Sequence, residues 1–324
     1  MNKKKIGIIS PANNVLSIFP KRKEIGIKNL EEIGYEVIFS KNGCRINDCY
    51  KKSLKERLEE INEILNQEPD IIMASIGGYT SIQLLDKLDY KKINEKKSIF
   101  CGFSDATALL LAIYTKTKKE VLYGPVYTVN LCDYGGIDEY TKKYLLDCIE
   151  GKKIIYKASN YSIKEFIDWK ELEEKEIIKK KTKKGNDWKV VKEGKASGKL
   201  IGGNLSTLIL IIGTEYLKEK EFDNSILFLE DCDTNISKFC SFLDSLRIKG
   251  IFNKINGLIV GKFDSDELNK EIYGFLKDYM IEYSIPVVCN VDFGHIYPIL
   301  TFPIGRKASL ECNKKEIKLS VDKK

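Results

Sequence analysis

The 324-residue sequence has one histidine, His295, and no C-x-x-C pair among its nine cysteines. Metal sites cluster such ligands, so this scarcity argues against a metal centre. An odd number of cysteines cannot pair fully within one chain, and the thiols are expected to be reduced and mostly buried. No stretch approaches the roughly 18 uninterrupted apolar residues of a membrane span. The opening Met1-Asn-Lys-Lys-Lys-Ile-Gly-Ile-Ile breaks at Ser10-Pro11. It reads as a first strand and not as a secretory signal, and the chain reads as cytoplasmic. Basic residues interleaved with aromatics, the pattern that stacks on bases, are also missing. The formal net charge is +7, but its lysines sit among glutamates, as in Lys51–Glu63 and Lys170–Lys184. Such mixed runs are solvated faces, and neither nucleic acid nor membrane is expected as a partner.

What remains is an ordinary soluble composition, 43% apolar and 31% charged, long enough for two domains. In the first half, apolar runs at 5–9, 35–39, 71–75 and 99–103 alternate with helical patterns at 21–33, 54–65, 81–88 and 106–117. Strands alternating with helices predict a doubly wound parallel sheet, whose ligands bind beyond the carboxyl ends of the strands. Tyr123-Gly124-Pro125 ends a further strand, and 138–150 is a helix. From Lys152 to Lys195 the chain becomes lysine-rich and is broken by Gly185-Asn-Asp187. That stretch reads as a crossing segment, and Trp188 within it is a packing anchor or a ligand contact. A second domain follows, with strands at 198–203, 225–230, 257–262 and 285–291, helices at 239–248 and 271–282, and a closing hairpin. The expected division is a flavodoxin-like domain over 1–165, a connector over 166–195 and a second domain over 196–324.

Several polar residues stand where strands end. Ser104 lies on a tight turn from strand to helix, where a hydroxyl would project beside free helix N–H groups suited to an oxyanion. It could equally be the N-cap of that helix, and Gly102-x-Ser104-x-Ala106 lacks the second glycine of the common nucleophile elbow. Gly77-Gly78 would let a backbone approach a ligand, or form a plain tight turn. Glu230 closes the apolar run Ile226-Leu-Phe-Leu, and His295 follows a buried strand in Gly294-His-Ile-Tyr-Pro298. Each has a structural reading, as a capping carboxylate or a hydrogen-bonded core histidine. Together they are the nucleophile, orienting acid and base of acyl transfer in the order Ser, Glu, His.

In these stretches the sequence resembles the LD-carboxypeptidase family of serine peptidases, and within it the microcin C immunity (MccF-like) branch. The matching segments are Gly7-Ile-Ile-Ser-Pro11, Ser75-Ile-Gly-Gly-Tyr79 with Leu84–Tyr90, Gly102–Leu110 and Tyr123-Gly-Pro125. In the second half they are Leu200-Ile-Gly-Gly-Asn-Leu205, Gly213-Thr-Glu-Tyr216, Ile226–Asp231, Gly294–Pro298 and Thr301-Phe-Pro-Ile-Gly305. The resemblance implies a doubly wound N-terminal domain joined to a smaller, β-rich α/β C-terminal one, with the site between them, in a homodimer. It implies a nucleophile at Ser104, a base at His295, an orienting acid at Glu230, and an oxyanion hole near Gly78 and Asp105. No metal or organic cofactor is implied.

The MccF-like branch cleaves the amide of aminoacyl nucleotides, and the other branch releases D-Ala from murein tetrapeptides. On the first reading, Gly77 and Asn204 contact substrate and Trp188 stacks on the base. Arg247 stands where that branch carries lysine and would hold a carboxylate or phosphate, or is simply an exposed helix-end arginine. A rival of another class is a binding protein that kept the fold without the chemistry.

Overall fold

The structure, a computed structural model, describes residues 3–41, 52–163, 167–184 and 187–324. Cys44, Cys49, Lys51, Gly185 and Asn186 lie outside the described residues. Strands Lys4–Ile9, Tyr35–Phe39, Ile71–Ala74, Ile99–Gly102 and Val121–Tyr123 pair in parallel, in spatial order 2-1-3-4-5. The central strand Ile71–Ala74 is buried throughout, which is why it reads as a continuous apolar run. Helix Ala106–Thr117 is buried on all sides from Ala106 to Tyr114. A helix apolar all round belongs inside a protein, and this one packs between the two sheets, where Thr107 Oγ1 accepts the Asn204 N–H at 3.0 Å.

The second sheet has eight strands. At its centre Gly194–Asn204, Ser225–Glu230, Ile255–Gly261 and Val287–Val291 run parallel. The hairpin Lys307–Cys312 and Ile317–Val321 adds antiparallel strands at one side. The fold is therefore the expected doubly wound parallel sheet joined to a β-rich second unit.

Two strands cross between the units. Phe302–Ile304, from the last part of the chain, pairs antiparallel with Val121–Tyr123 in the first sheet. Ile154–Tyr156 pairs with Ile317–Val321 in the second. An aromatic cluster packs at this seam. Phe228 meets Tyr123 at 5.3 Å and Phe302 at 5.1 Å, and Phe293 meets Phe302 at 4.9 Å between ring centroids. Such pairs add about 0.5–1.5 kcal/mol each beyond area burial.

Two expectations differ in detail. A 3₁₀ turn, Ser81–Leu84, replaces the helix expected over 81–88. The lysine-rich connector is more ordered than its composition suggests, with a short helix Trp169–Glu174 and a ladder between Tyr161–Ser162 and Thr182–Lys183. Long-range polar contacts hold it. Lys179 pairs with Asp133 at 2.8 Å and Lys181 with Asp138 at 2.7 Å, and Glu173 accepts the Lys21 and Arg22 N–H groups.

Candidate active site

The turn carrying Ser104 joins strand Ile99–Gly102 to helix Ala106–Thr117 with three residues. Ser104 has φ +61°, a left-handed conformation that costs an L-residue roughly 1–2 kcal/mol. Its hydroxyl is not used as a helix cap, since the N-cap position falls on Asp105 and makes no side-chain cap bond. Instead Ser104 Oγ lies 2.9 Å from His295 Nε2. Space beside it exists because residue 77 is glycine. A Cβ at that position would stand 2.9 Å from Ser104 Oγ. The Asp105 carboxylate is turned away, accepting the Ser81 N–H at 2.9 Å. Among the described residues no acceptor meets the N–H groups of Gly78 or Asp105, and both residues line the same cleft as Ser104.

His295 sits on the loop after strand Val287–Val291, and Leu300 N donates to Asp292 O at 2.7 Å to close that loop. Its Nδ1 lies 2.7 Å from Glu230 Oε2, and Phe103 packs edge-on against the imidazole at 5.0 Å. Glu230 ends its strand almost fully buried. Gly294, at φ +99°, admits the carboxylate, because a Cβ there would come within 2.4 Å of Glu230 Oε2. The other oxygen, Oε1, accepts from Tyr123 Oη at 2.5 Å and Asn204 Nδ2 at 3.2 Å.

These contacts set the charges. Burial would raise the Glu230 pKa, but the His295 charge and hydrogen bond, with Tyr123 and Asn204, hold it below the usual carboxylate value. Burial would lower that of His295, yet the Glu230 charge, the Cys232 thiol and the Glu230 hydrogen bond hold it well above 6.5. The result is a negative carboxylate behind a basic imidazole that faces a hydroxyl.

Ser104 and His295 open into a cleft of about 810 Å³, with Glu230 buried behind them. The lining of the cleft includes an apolar group, Ile209, Leu210, Phe242 and Phe263, and the lysines Lys179, Lys184, Lys238 and Lys262 with Asp233, Asp264 and Asp292 among them. Lys184 pairs with Asp292 at 2.9 Å, and Lys262 pairs with Asp187. Lys238, in the first turn of helix Ile236–Ile248, is exposed and has no carboxylate partner among the described residues. From sequence, neither Lys238 nor Tyr123 was assigned a part in the site, although Tyr123 stood in one of the matching segments. Their signals were a lysine eight residues after Glu230 and a tyrosine ending a strand of the first sheet.

The remaining site candidates stand elsewhere or are otherwise engaged. Trp188 is buried, donates Nε1–H to Asp292 Oδ2 at 2.8 Å, and faces a second groove beside Tyr156 and Lys189. It does not line the cleft. Arg247 is at the far end of helix Ile236–Ile248, bonded to Asp244 on its own helix at 2.9 Å. It is the exposed helix-end arginine. Asn204 borders the cleft, but its Oδ1 caps helix Leu205–Ile211 through Thr207 N–H, and its Nδ2 holds Glu230 and Asp231. No group of three or more potential ligands able to hold a metal ion occurs among the described residues. Nor does any helix there have the length and apolarity to cross a membrane.

Comparison with known proteins matches residues 6–124 to the model of the LD-carboxypeptidase N-terminal domain and 197–310 to that of the LD-carboxypeptidase C-terminal domain. The Bacillus subtilis protein named putative carboxypeptidase YocD is 32% identical over 98% of this chain and 96% of its own. The Escherichia coli microcin C7 self-immunity protein MccF is 31% identical over 91% of this chain and 87% of its own. A solved structure of MccF in complex with aspartyl sulfamoyl adenosine superimposes with TM-score 0.89 at 29% identity, covering 100% of this chain and 97% of that one.

Proposed function

This chain belongs to the LD-carboxypeptidase family, and on that premise we propose that it is a serine-type hydrolase acting on the amide bond of aminoacyl nucleotides. The observation that carries the chemistry is the hydrogen-bonded series from Ser104 through His295 to Glu230. In this reading Ser104 Oγ attacks the amide carbon while His295 Nε2 takes its proton. Glu230 fixes the imidazole tautomer and stabilises the imidazolium. The N–H groups of Gly78 and Asp105 receive the developing oxyanion. His295 then protonates the leaving amine, and water repeats the sequence on the acyl-enzyme.

The substrate class is supported by the cleft and by the MccF complex. An apolar wall beside an exposed lysine without a carboxylate partner among the described residues, its Nζ bonded only to Asp233 O at 3.4 Å and lying over the Phe242 ring, suits a ligand with a flat apolar part and a carboxylate or phosphate. Lys238 takes the anion-holding part first expected of Arg247, and Asn204 acts by holding Glu230. We place the enzyme in the cytoplasm as a homodimer. The seven free cysteines among the described residues fit a reducing compartment, and sedimentation equilibrium tests the dimer.

The experiment is mass-spectrometric turnover of an aminoacyl sulfamoyl adenosine beside a murein tetrapeptide. The expected result is cleavage of the adenosine compound and its loss in Ser104→Ala, by about 10³-fold or more. Release of D-Ala from the tetrapeptide alone would replace the nucleotide substrate with a cell-wall peptide. A wild-type protein that binds but cleaves neither, and takes no covalent serine probe, would mark a binding protein on this fold.

A further inference from the structure

Tyr123 ends a strand of the first sheet and is almost completely buried. Its ring is wedged against Phe228 at 5.3 Å and against Phe103 and Phe293 at 6.5 Å. Only its hydroxyl has polar partners, and they come from opposite halves of the molecule. It donates to Glu230 Oε1 at 2.5 Å and accepts the backbone N–H of Ser104 at 3.4 Å. Burial, then the neighbouring Glu230 charge, pushes the phenol pKa far up, so the hydroxyl keeps its proton and remains a donor.

A carboxylate held at one oxygen can turn about its Cγ–Cδ bond. Glu230 has His295 on Oε2, so the orientation of that contact is fixed by what holds Oε1. Two groups do so. Asn204 belongs to the same half as Glu230 and is shared with Asp231 and a helix N-terminus. Tyr123 is the donor from the first sheet, and it also meets the nucleophile's own peptide.

We propose that Tyr123 is a positioning residue, a strut that sets Glu230 for His295 and registers both against the Ser104 turn across the seam. This rests on the triad reading given above. Ser104 N–H, engaged by the phenol, is then not an oxyanion donor, which leaves that part to Asp105 and Gly78. Other titratable groups surround the pair. Cys232 meets His295, Asp231 adjoins Glu230, and Asp105, Asp233, Lys238 and Asp292 border the cleft. Lys184 balances Asp292. The donors to Oε1 are Tyr123 and Asn204 alone among the described residues.

Tyr123→Phe removes one oxygen atom and leaves the ring packing in place. A carboxylate that loses this donor has its charge less stabilised, and it attracts the imidazole proton more strongly. Because the chain has one histidine, NMR titration reads His295 with no assignment problem, and it needs no substrate. The expected result is a His295 pKa about 0.5–1 unit higher than in wild type. With it, kcat falls about 10–100-fold at nearly constant KM, and the acid limb of the pH profile moves up equally. As a second probe, 3-fluorotyrosine at position 123, a stronger donor of the same shape, should move the His295 pKa down. A folded Tyr123→Phe protein with unchanged kcat and an unchanged His295 titration would overturn the proposal. If the wild type turns over no substrate and takes no serine probe, the functional reading falls. A His295 shift in Tyr123→Phe would still show the strut.

Discussion

His295 is pulled in two directions, by burial toward the neutral form and by Glu230 toward the imidazolium, and the second wins. As a base it must be neutral. Turnover should therefore be low where the pH lies below its raised pKa, and should rise with pH through that value. The prediction is an acid limb in kcat/KM centred above the ordinary 6.5 of a histidine. Glu230→Gln keeps the shape, removes the charge, and should bring the limb down while cutting kcat about 10³–10⁴-fold. A limb at or below 6.5 in the wild-type profile would refute the pairing. At this scale the sequence was informative wherever a polar side chain interrupted an apolar run. Ser104, Glu230 and His295 each close or follow a strand, and the structure brings them within hydrogen-bond distance. Trp188 and Arg247 could not be placed in the same way. Whether an indole faces a cleft or sinks against Asp292 depends on partners more than a hundred residues away.

At the level of elements, two turns meet closely at the nucleophile, the one after Ile71–Ala74 and the one after Ile99–Gly102. Gly77→Ala would set a methyl 2.9 Å from Ser104 Oγ and 3.0 Å from its Cβ, closer than carbon and oxygen pack. The expected outcome is a folded protein with an unchanged thermal midpoint to within a few degrees. Its turnover should be reduced about 100-fold, the loss typical of a displaced reacting group. Circular dichroism and initial rates check both parts. The alternation of strands and helices in the first half was legible because the central strand Ile71–Ala74 is buried throughout and reads as one apolar run, and helix Leu54–Asn66 carries one apolar side. The connector was not. Its order comes from ion pairs and from Glu173 reaching the start of helix Pro20–Glu32. A lysine-rich stretch alone has no signal for such partners.

Across the whole molecule, the seam is held by rings contributed from both sheets. Phe302, fully buried among Tyr156, Phe228 and Phe293, is the residue whose truncation should cost most there. Phe302→Ala should destabilise by about 3–5 kcal/mol, read as a lower urea midpoint at constant slope. A change under 1 kcal/mol would mean the seam is not a shared core. The two-part architecture was visible in the sequence, but the exchange of strands was not. Phe302–Ile304 is three residues long, and nothing in so short a run says which sheet it will join.

That exchange has a mechanical meaning. The segment bearing His295 leaves a strand of one sheet at Val291 and enters the other at Phe302, and it is cinched by Leu300 on Asp292. It is a tether anchored at both ends. The two halves cannot swing apart like a hinged clamp without unzipping a β-ladder or unpicking that loop. The histidine is thus held to the serine's half of the molecule by a covalent segment rooted in both sheets, as a deck is held by a cable fixed at both towers. A gene cut at the connector would yield two fragments, one lacking an edge strand and the other trailing it unpaired.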